Sequence, residues 1–513
     1  MLEPAAQPQR VAAFDPGRSG GVMMRARTAL DPDRLLPWAC IAAAFAWFVS
    51  VALRLPPGDG DLLWQQWLGA RILHEHAIPR TLGPETFAAA GAPWTPHEWL
   101  FSTALAFSAA HGAPWLIPLA CALAAALALA TVVVRCRRRG VSPTLSAAGA
   151  IVGALAMIQS FGARAQVLGW LGLTVVVTLL ELDGPWAWAA VPATVAWANL
   201  HASVFLSPAV AALFAVAALL RDRGWSRDVA RRAALAAACG AATLATPLGI
   251  DLPRYAAGLL ASPIRASISE WGATSITSAA FVLTALPLLL ILGAFGMRAS
   301  LRDRLLAAAF TVILFTAVRN VPVFALVVAP VALSAFAAAR TPRAERPRAR
   351  RVAAWATVGA VALVCVLIPA VVWKSAPAVQ SGLPAGPARA LLAQARSQPR
   401  VFCEDFAWCS LFLQAPGAVR FYMDGRCDPY PAPMWRDYRE VMDGNRNWAT
   451  IIERERIDAI LVRRDGALDS LLAERPGSWR RIASDRLARL YVKPALLDGG
   501  HDAGRRAVAS LAR

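Results

Sequence analysis

The sequence predicts a polytopic α-helical membrane protein of about eleven spans, ending in a small α/β domain outside the cytoplasm. Three observations carry this prediction. Apolar residues make up 57% of the 513-residue chain and charged residues only 17%, where soluble proteins carry about 25% charge. The apolar residues gather into runs of roughly 17–25, enough to cross about 30 Å of hydrocarbon as helix, and lipid offers the backbone no other hydrogen-bond partner. The net charge of +19 is almost wholly arginine, since Lys374 and Lys493 are the only lysines, and it sits in short blocks between the apolar runs.

Run length gives spans at 36–54, 114–134, 143–161, 166–182, 185–201, 203–220, 233–249, 276–296, 303–318, 320–339 and 352–373. The arginine blocks set their direction. Arg135, Arg137, Arg138 and Arg139 follow the second span, and Arg221, Arg223, Arg227, Arg231 and Arg232 follow the sixth. Arg298, Arg302 and Arg304 follow the eighth, and Arg340–Arg351 follow the tenth. With the N-terminus inside, every block is cytoplasmic, which is the positive-inside pattern and argues against nucleic acid as a partner. Residues 98–110 are apolar but too short to span, and counting them would put Arg135–Arg139 outside. They therefore read as an interfacial helix.

This topology predicts a disordered cytoplasmic tail over 1–35, with no cleavable signal peptide. A membrane domain follows over 36–374, with a first external loop at 55–113. Next come a linker at 375–399 rich in Pro, Gly, Ala and Ser, an extracytoplasmic α/β domain at 400–495 and a flexible tail at 496–513. Within the α/β domain, Arg400–Phe402, Val419–Tyr422, Ala459–Val462 and Leu487–Val492 read as strands. Trp435–Val441 and Trp448–Glu455 read as helices, and a short linker helix is expected near Ala388–Arg396.

Two regions leave room for chemistry. In the first external loop, Asp59 and Asp61 precede an amphipathic stretch. Two carboxylates one residue apart can hold a divalent cation, Mg²⁺ or Mn²⁺, or one can accept a proton from an attacking hydroxyl. The alternative is a helix N-cap. His74, His76 and His97 can bind metal or simply be solvated, and nothing shows zinc spacing. In the C-terminal domain, Asp424-Gly-Arg426-Cys-Asp428-Pro-Tyr430 follows a strand. It reads as a tight turn with an Asp–Arg pair or as an acceptor contact. Cys403, Cys409 and Cys427 allow one disulfide and one thiol, and the sequence does not choose the pair.

Ionisable groups at span ends are costly unless paired or wet. Arg164 and Gln166, Asn199 and His201, Arg319 and Asn320, and the loop residues Asp251, Arg254, Tyr255, Arg265, Glu270 and Trp271 all fall at the external leaflet on this topology. Arg164 and Arg319 each sit in a short turn that suits a phosphate contact, or snorkelling to headgroups. No phosphate-binding glycine loop and no H-E-x-x-H run occurs, which argues against ATP-driven transport and zinc hydrolysis.

The run Gly58-Asp59-x-Asp61-x-x-Trp64, followed by Gly69, Ile72, Leu73, Pro79, Gly91, Pro93, Trp94, His97, Glu98 and Trp99, resembles the first loop of the GT-C superfamily. These are membrane glycosyltransferases that use polyprenyl-phosphate sugars. The resemblance implies an inverting sugar transfer from such a donor, at the outer face of a bacterial inner membrane, to an extracytoplasmic acceptor. It implies that Asp61, or Asp59, is the catalytic base. Arg164 and Arg319 would contact the donor phosphate, and His97, Glu98, Asn199, His201, Glu270, Asp424, Arg426 and Asp428 are the candidate substrate or acceptor contacts. A lipid or sugar transporter, or a non-catalytic envelope-assembly protein on the same frame, are the alternative readings.

Overall fold

Among the described residues, the longest apolar runs become six helices long and apolar enough to cross a membrane: Asp33–Ala52, Leu116–Arg138, Ala165–Leu182, Ala202–Asp222, Phe281–Arg298 and Val318–Ala339. The protein is thus a polytopic helical membrane protein, and a C-terminal region built on a β-sheet lies outside the membrane. The computed structural model describes residues 32–53, 60–158, 160–262, 264–265, 268–340, 359, 382–394 and 398–497. The expected span at 352–373 and both chain ends lie outside the described residues, apart from Gly359.

In chain order the helices are α1 (Pro32–Ala52), α2 (Gly60–Glu75), α3 (Trp99–Ala110), α4 (Leu116–Arg138), α5 (Pro143–Ile158), α6 (Ala165–Leu182) and α7 (Ala190–Ala198). They continue with α8 (Leu206–Asp222), α9 (Arg227–Ala242), α10 (Asp251–Ala261), α11 (Leu286–Phe295), α12 (Leu301–Thr316) and α13 (Val321–Ala339). The expected spans at 143–161, 185–201 and 233–249 come out shorter than the sequence suggested, and that at 303–318 keeps its 16 residues. The 16 residues of α5, α9 and α12 rise about 24 Å at 1.5 Å per residue, less than the bilayer's apolar thickness. The nine residues of α7 follow a separate 3₁₀ turn at Gly184–Ala189. Helix α9 also begins and ends earlier than 233–249, because Thr246, Pro247 and Gly249, the last at φ +52°, turn the chain.

Helix α13 runs through the middle of the bundle, with every residue from Val321 to Leu333 buried. An all-round apolar helix suits that place. Its Pro330 has no N–H, so the Leu326 carbonyl loses its helical donor. Arg135 supplies the missing hydrogen: Nη1 donates to Leu326 O at 3.0 Å and Nη2 to Val327 O at 3.0 Å. The same guanidinium forks onto Glu181 at 3.1 and 2.8 Å, and Arg139 joins Glu181 to Asp303 at 2.8 Å each. Arg135 is only 1% exposed. Replacing it with Ala leaves the Leu326 carbonyl and part of the Glu181 charge unpaired. Thermal unfolding in detergent is expected to register a loss of about 3–5 kcal/mol, and an unchanged midpoint would refute this account.

The first loop and the C-terminal region build one body. The sheet has the order β2-β1-β3-β5-β4, from β1 (Arg400–Cys403), β2 (Arg420–Phe421), β3 (Ala459–Arg463), β4 (Arg480–Ser484) and β5 (Ala488–Val492). β1 runs parallel to β2 and β3, while β5 is antiparallel to β3 and β4. Helices Ala432–Met442, Trp448–Arg454 and Ala467–Ala473 pack with it, and Ala385–Gln394 precedes it. The first loop continues the sheet past β2: Phe421 N donates to Glu85 O at 2.8 Å, and Thr81 bridges Pro93 within the loop. One apolar core joins Leu68, Ile72, Leu82 and Trp94 of the loop to Phe402, Tyr422, Tyr430 and Trp435. Helices α2 and α3 meet so closely that a Cβ on Gly69 would lie 1.9 Å from the Ser102 carbonyl oxygen.

Candidate functional site

Where α2, the turn before α6 and the C-terminal loop meet, Asp61 is held from three sides. It lies in the first turn of α2, where a carboxylate is favoured by the helix dipole. Trp64 Nε1 donates to its Oδ1 at 3.3 Å, and Arg164 Nη2 lies 3.2 Å from its Oδ2. A Cβ on Gly425 would come within 3.3 Å of Asp61 Oδ1 and 3.2 Å of Trp64. The absence of a side chain at Gly425 therefore lets the C-terminal loop close over Asp61. Asp59 lies outside the described residues.

Arg164 sits in extended backbone just ahead of α6 and also pairs with Glu270 at 2.9 Å. Arg319, in the turn Val318–Asn320, donates to Gln166 Oε1 at 2.6 Å and lies over the Trp271 ring at 4.6 Å. Glu270 and Trp271 belong to one turn, Ser269–Trp271, so a single short segment meets both arginines. All of this sits at one end of the bundle. The Arg135–Glu181–Arg139–Asp303 network sits at the other, since Arg164 precedes and Glu181 lies in the last turn of the 18-residue α6, about 27 Å long.

A second cluster adjoins the first. His97 and Glu98 directly precede α3, and His201 stands ahead of the turn Ala202–Phe205. Glu98 Oε1 lies 3.6 Å from His97 Nε2 and 3.5 Å from His201 Nε2. The three side chains are 17%, 13% and 12% exposed. Gln65, one turn along α2 from Asp61, donates to the other Glu98 oxygen. The His97 ring stacks on Tyr255 at 4.6 Å and 22°, and Asp428 acts on both. These residues could hold a metal ion, because their ligand atoms all lie within 4.8 Å of one another.

Burial opposes the charge of His97, but Glu98 beside it outweighs burial and holds the imidazole above its ordinary value. Burial would raise Glu98 in turn, and His97 instead holds it below the usual carboxylate range. Burial pushes the Asp428 carboxyl up to about 6, against the opposing pull of His97. It pushes the Tyr255 hydroxyl and the Cys427 thiol well up.

Several sequence expectations change here. Among the described residues the cluster with metal-binding spacing is His97, Glu98 and His201, while the expected pair Asp59 and Asp61 falls partly outside the described residues. His97 is packed rather than solvated, while His74 and His76 are exposed. The Asn199 amide donates to Val195 O at 2.8 Å and Ala245 O at 2.9 Å. It ties α7 to the turn after α9.

Asp424 and Arg426 face each other, fully buried, at 3.0 Å. Tyr430 donates to Asp424 at 2.7 Å, and Arg426 reaches Glu85 at 3.2 Å. This geometry matches the tight-turn reading of that motif, whose Gly425 lies against Asp61 and whose Asp428 acts on His97 and Tyr255. Cys403 pairs with Cys409, leaving Cys427 as the thiol. Gln65 was missed by sequence reasoning, although its place four residues after Asp61 sets it one turn away on the same helical face.

Fold and site together define a polytopic helical membrane protein whose polar residues converge where the bundle meets an extramembranous domain. No family model matches the chain, and no curated protein matches it.

Proposed function

We propose that the chain is a GT-C-like glycosyltransferase of the bacterial inner membrane, with the N-terminus cytoplasmic and about eleven spans. It moves a sugar from a polyprenyl-phosphate donor to an extracytoplasmic acceptor. The observation that carries this reading is the joining of Asp61, Arg164 and Glu270 in one ion-paired array, with Arg319 beside it, at the end of the bundle covered by the C-terminal domain. The Cys403–Cys409 bridge supports an oxidising outer face for that domain.

In this mechanism Asp61 accepts the proton of the acceptor hydroxyl as its oxygen attacks the anomeric carbon. The carbon–oxygen bond to phosphate breaks on the opposite face, so configuration inverts. The lipid phosphate leaves with the bonding pair, stabilised by Arg164 and Arg319. Arg164 holds Asp61 at 3.2 Å, so a phosphate that draws Arg164 away releases the base when the donor has bound. No step is assigned to a metal at Asp61.

The test uses purified protein in liposomes with a labelled polyprenyl-phosphate sugar and an extract of envelope acceptors. Transfer of label, with release of polyprenyl phosphate, is the expected result. Arg319→Ala is expected to raise the donor KM about tenfold or more, the loss of one charge-assisted contact. Label that accumulates inside sealed vesicles without transfer would instead support a transporter. A chain inert in both assays would support an assembly role.

A further inference from the structure

Two imidazoles and a carboxylate converging on one point need an explanation. The Nε2–Oε1 separations of 3.6 and 3.5 Å are too long for hydrogen bonds, which lie at about 2.7–3.2 Å. They are close to the ~3.3 Å between ligand atoms around a tetrahedral ion with bonds of about 2.0–2.1 Å. The third edge is within 4.8 Å.

The supporting groups are already in place. Gln65 holds Glu98 Oε2 and leaves Oε1 to both histidines. His201 Nδ1 lies 2.7 Å from Ser203 Oγ, which also accepts from Trp197 Nε1 at 3.2 Å. Tyr255 stacks against His97 and fixes its plane. Around the cluster stand one further negative group, Asp428, and one positive group, Arg319.

We propose that His97, Glu98 and His201 bind one zinc-class divalent ion through His97 Nε2, His201 Nε2 and Glu98 Oε1. Imidazole nitrogen selects first-row transition ions over Mg²⁺ and Ca²⁺, which want oxygen. Three protein ligands leave a fourth position for water or a substrate oxygen. Without metal, His201 Nδ1 accepts from the Ser203 N–H at 3.1 Å. Binding at Nε2 moves that ring's proton to Nδ1, which gives up the Ser203 N–H and donates instead to Ser203 Oγ at 2.7 Å, the kind of outer-sphere bond that orients metal-bound histidines. The ion would join the segment before α3 to the turn before α8, across 104 residues of sequence. The inference is independent of the transfer reading, because binding is measured with neither donor nor acceptor.

The experiment strips the full-length protein in detergent with chelator, adds Zn²⁺ or Co²⁺, and measures bound metal after desalting. A purification tag free of histidine is required. One equivalent per chain is expected, with affinity reduced about tenfold or more in His97→Ala, His201→Ala and Glu98→Gln and unchanged in His74→Ala. Unchanged affinity in both single histidine variants overturns the site, as does binding well below one equivalent. Should a variant fail to fold, the Co²⁺ spectrum of the native protein decides. Intense visible bands of a four-coordinate ion support the proposal, and the weak spectrum of hydrated Co²⁺ overturns it.

Discussion

Asp61→Asn is expected to lower sugar transfer by about 100- to 10,000-fold, the usual contribution of a general base, while the protein still inserts and folds. The substitution preserves shape and removes only charge and basicity, and Trp64 can still donate to the remaining carbonyl. The ion pair that it breaks is about a third exposed on each side, so its loss costs roughly 0–1 kcal/mol. Arg164 also keeps Glu270 at 2.9 Å. Activity and stability should therefore separate: transfer collapses while the thermal midpoint in detergent hardly moves. Normal transfer by this variant would rule out Asp61 as the base.

Arg426→Ala is the substitution expected to damage the fold most. Its side chain is wholly buried, as is that of Asp424. Beyond Asp424 and Glu85, the guanidinium lies over the rings of Trp67 at 5.2 Å and Trp94 at 4.8 Å. Truncation strands the Asp424 charge with Tyr430 as its side-chain donor, and stranding one half of a buried pair costs about 3–5 kcal/mol. Arg426→Lys should rescue little, because an ammonium cannot fork onto two carboxylates and lie flat against two indoles. Trp67, Trp94 and Glu85 all belong to the first loop, so the damage should appear there. The expected readouts are a lowered thermal midpoint and new protease cleavage between residues 80 and 94. A variant as stable and as resistant as the parent would show that this arginine does not join loop to domain.

The two substitutions show which parts of the protein are legible in its sequence. Helices α1, α4 and α13 follow from uninterrupted apolar runs, because lipid leaves the backbone no alternative to helix. Arg164, Glu270 and Arg319 stood out because charged residues at span ends are costly, and the fold brings them to the end of the bundle that also holds Asp61. The turn made by Asp424 and Arg426 could be read from adjacent residues.

β4 and helix Ala467–Ala473 escaped notice for a physical reason. β4 is an edge strand carrying Arg480, Arg481 and Ser484, with no buried face to create an alternating pattern. Nor did the sequence choose between cysteine pairs. Cys403 and Cys409 are joined because β1 and the 3₁₀ segment Phe406–Gln414 bring them together.

By itself, then, the sequence determined a membrane bundle, the arginine-rich end and the candidate carboxylate Asp61, since hydropathy and charge act over one helix length. Tertiary structure alone decided the environment of each polar group. It placed His97, Glu98 and His201 around a common point, set Asp428 of the C-terminal loop beside Tyr255, and turned Asn199 to backbone carbonyls. These assignments depend on contacts between segments 46 to 173 residues apart, and no local pattern encodes them.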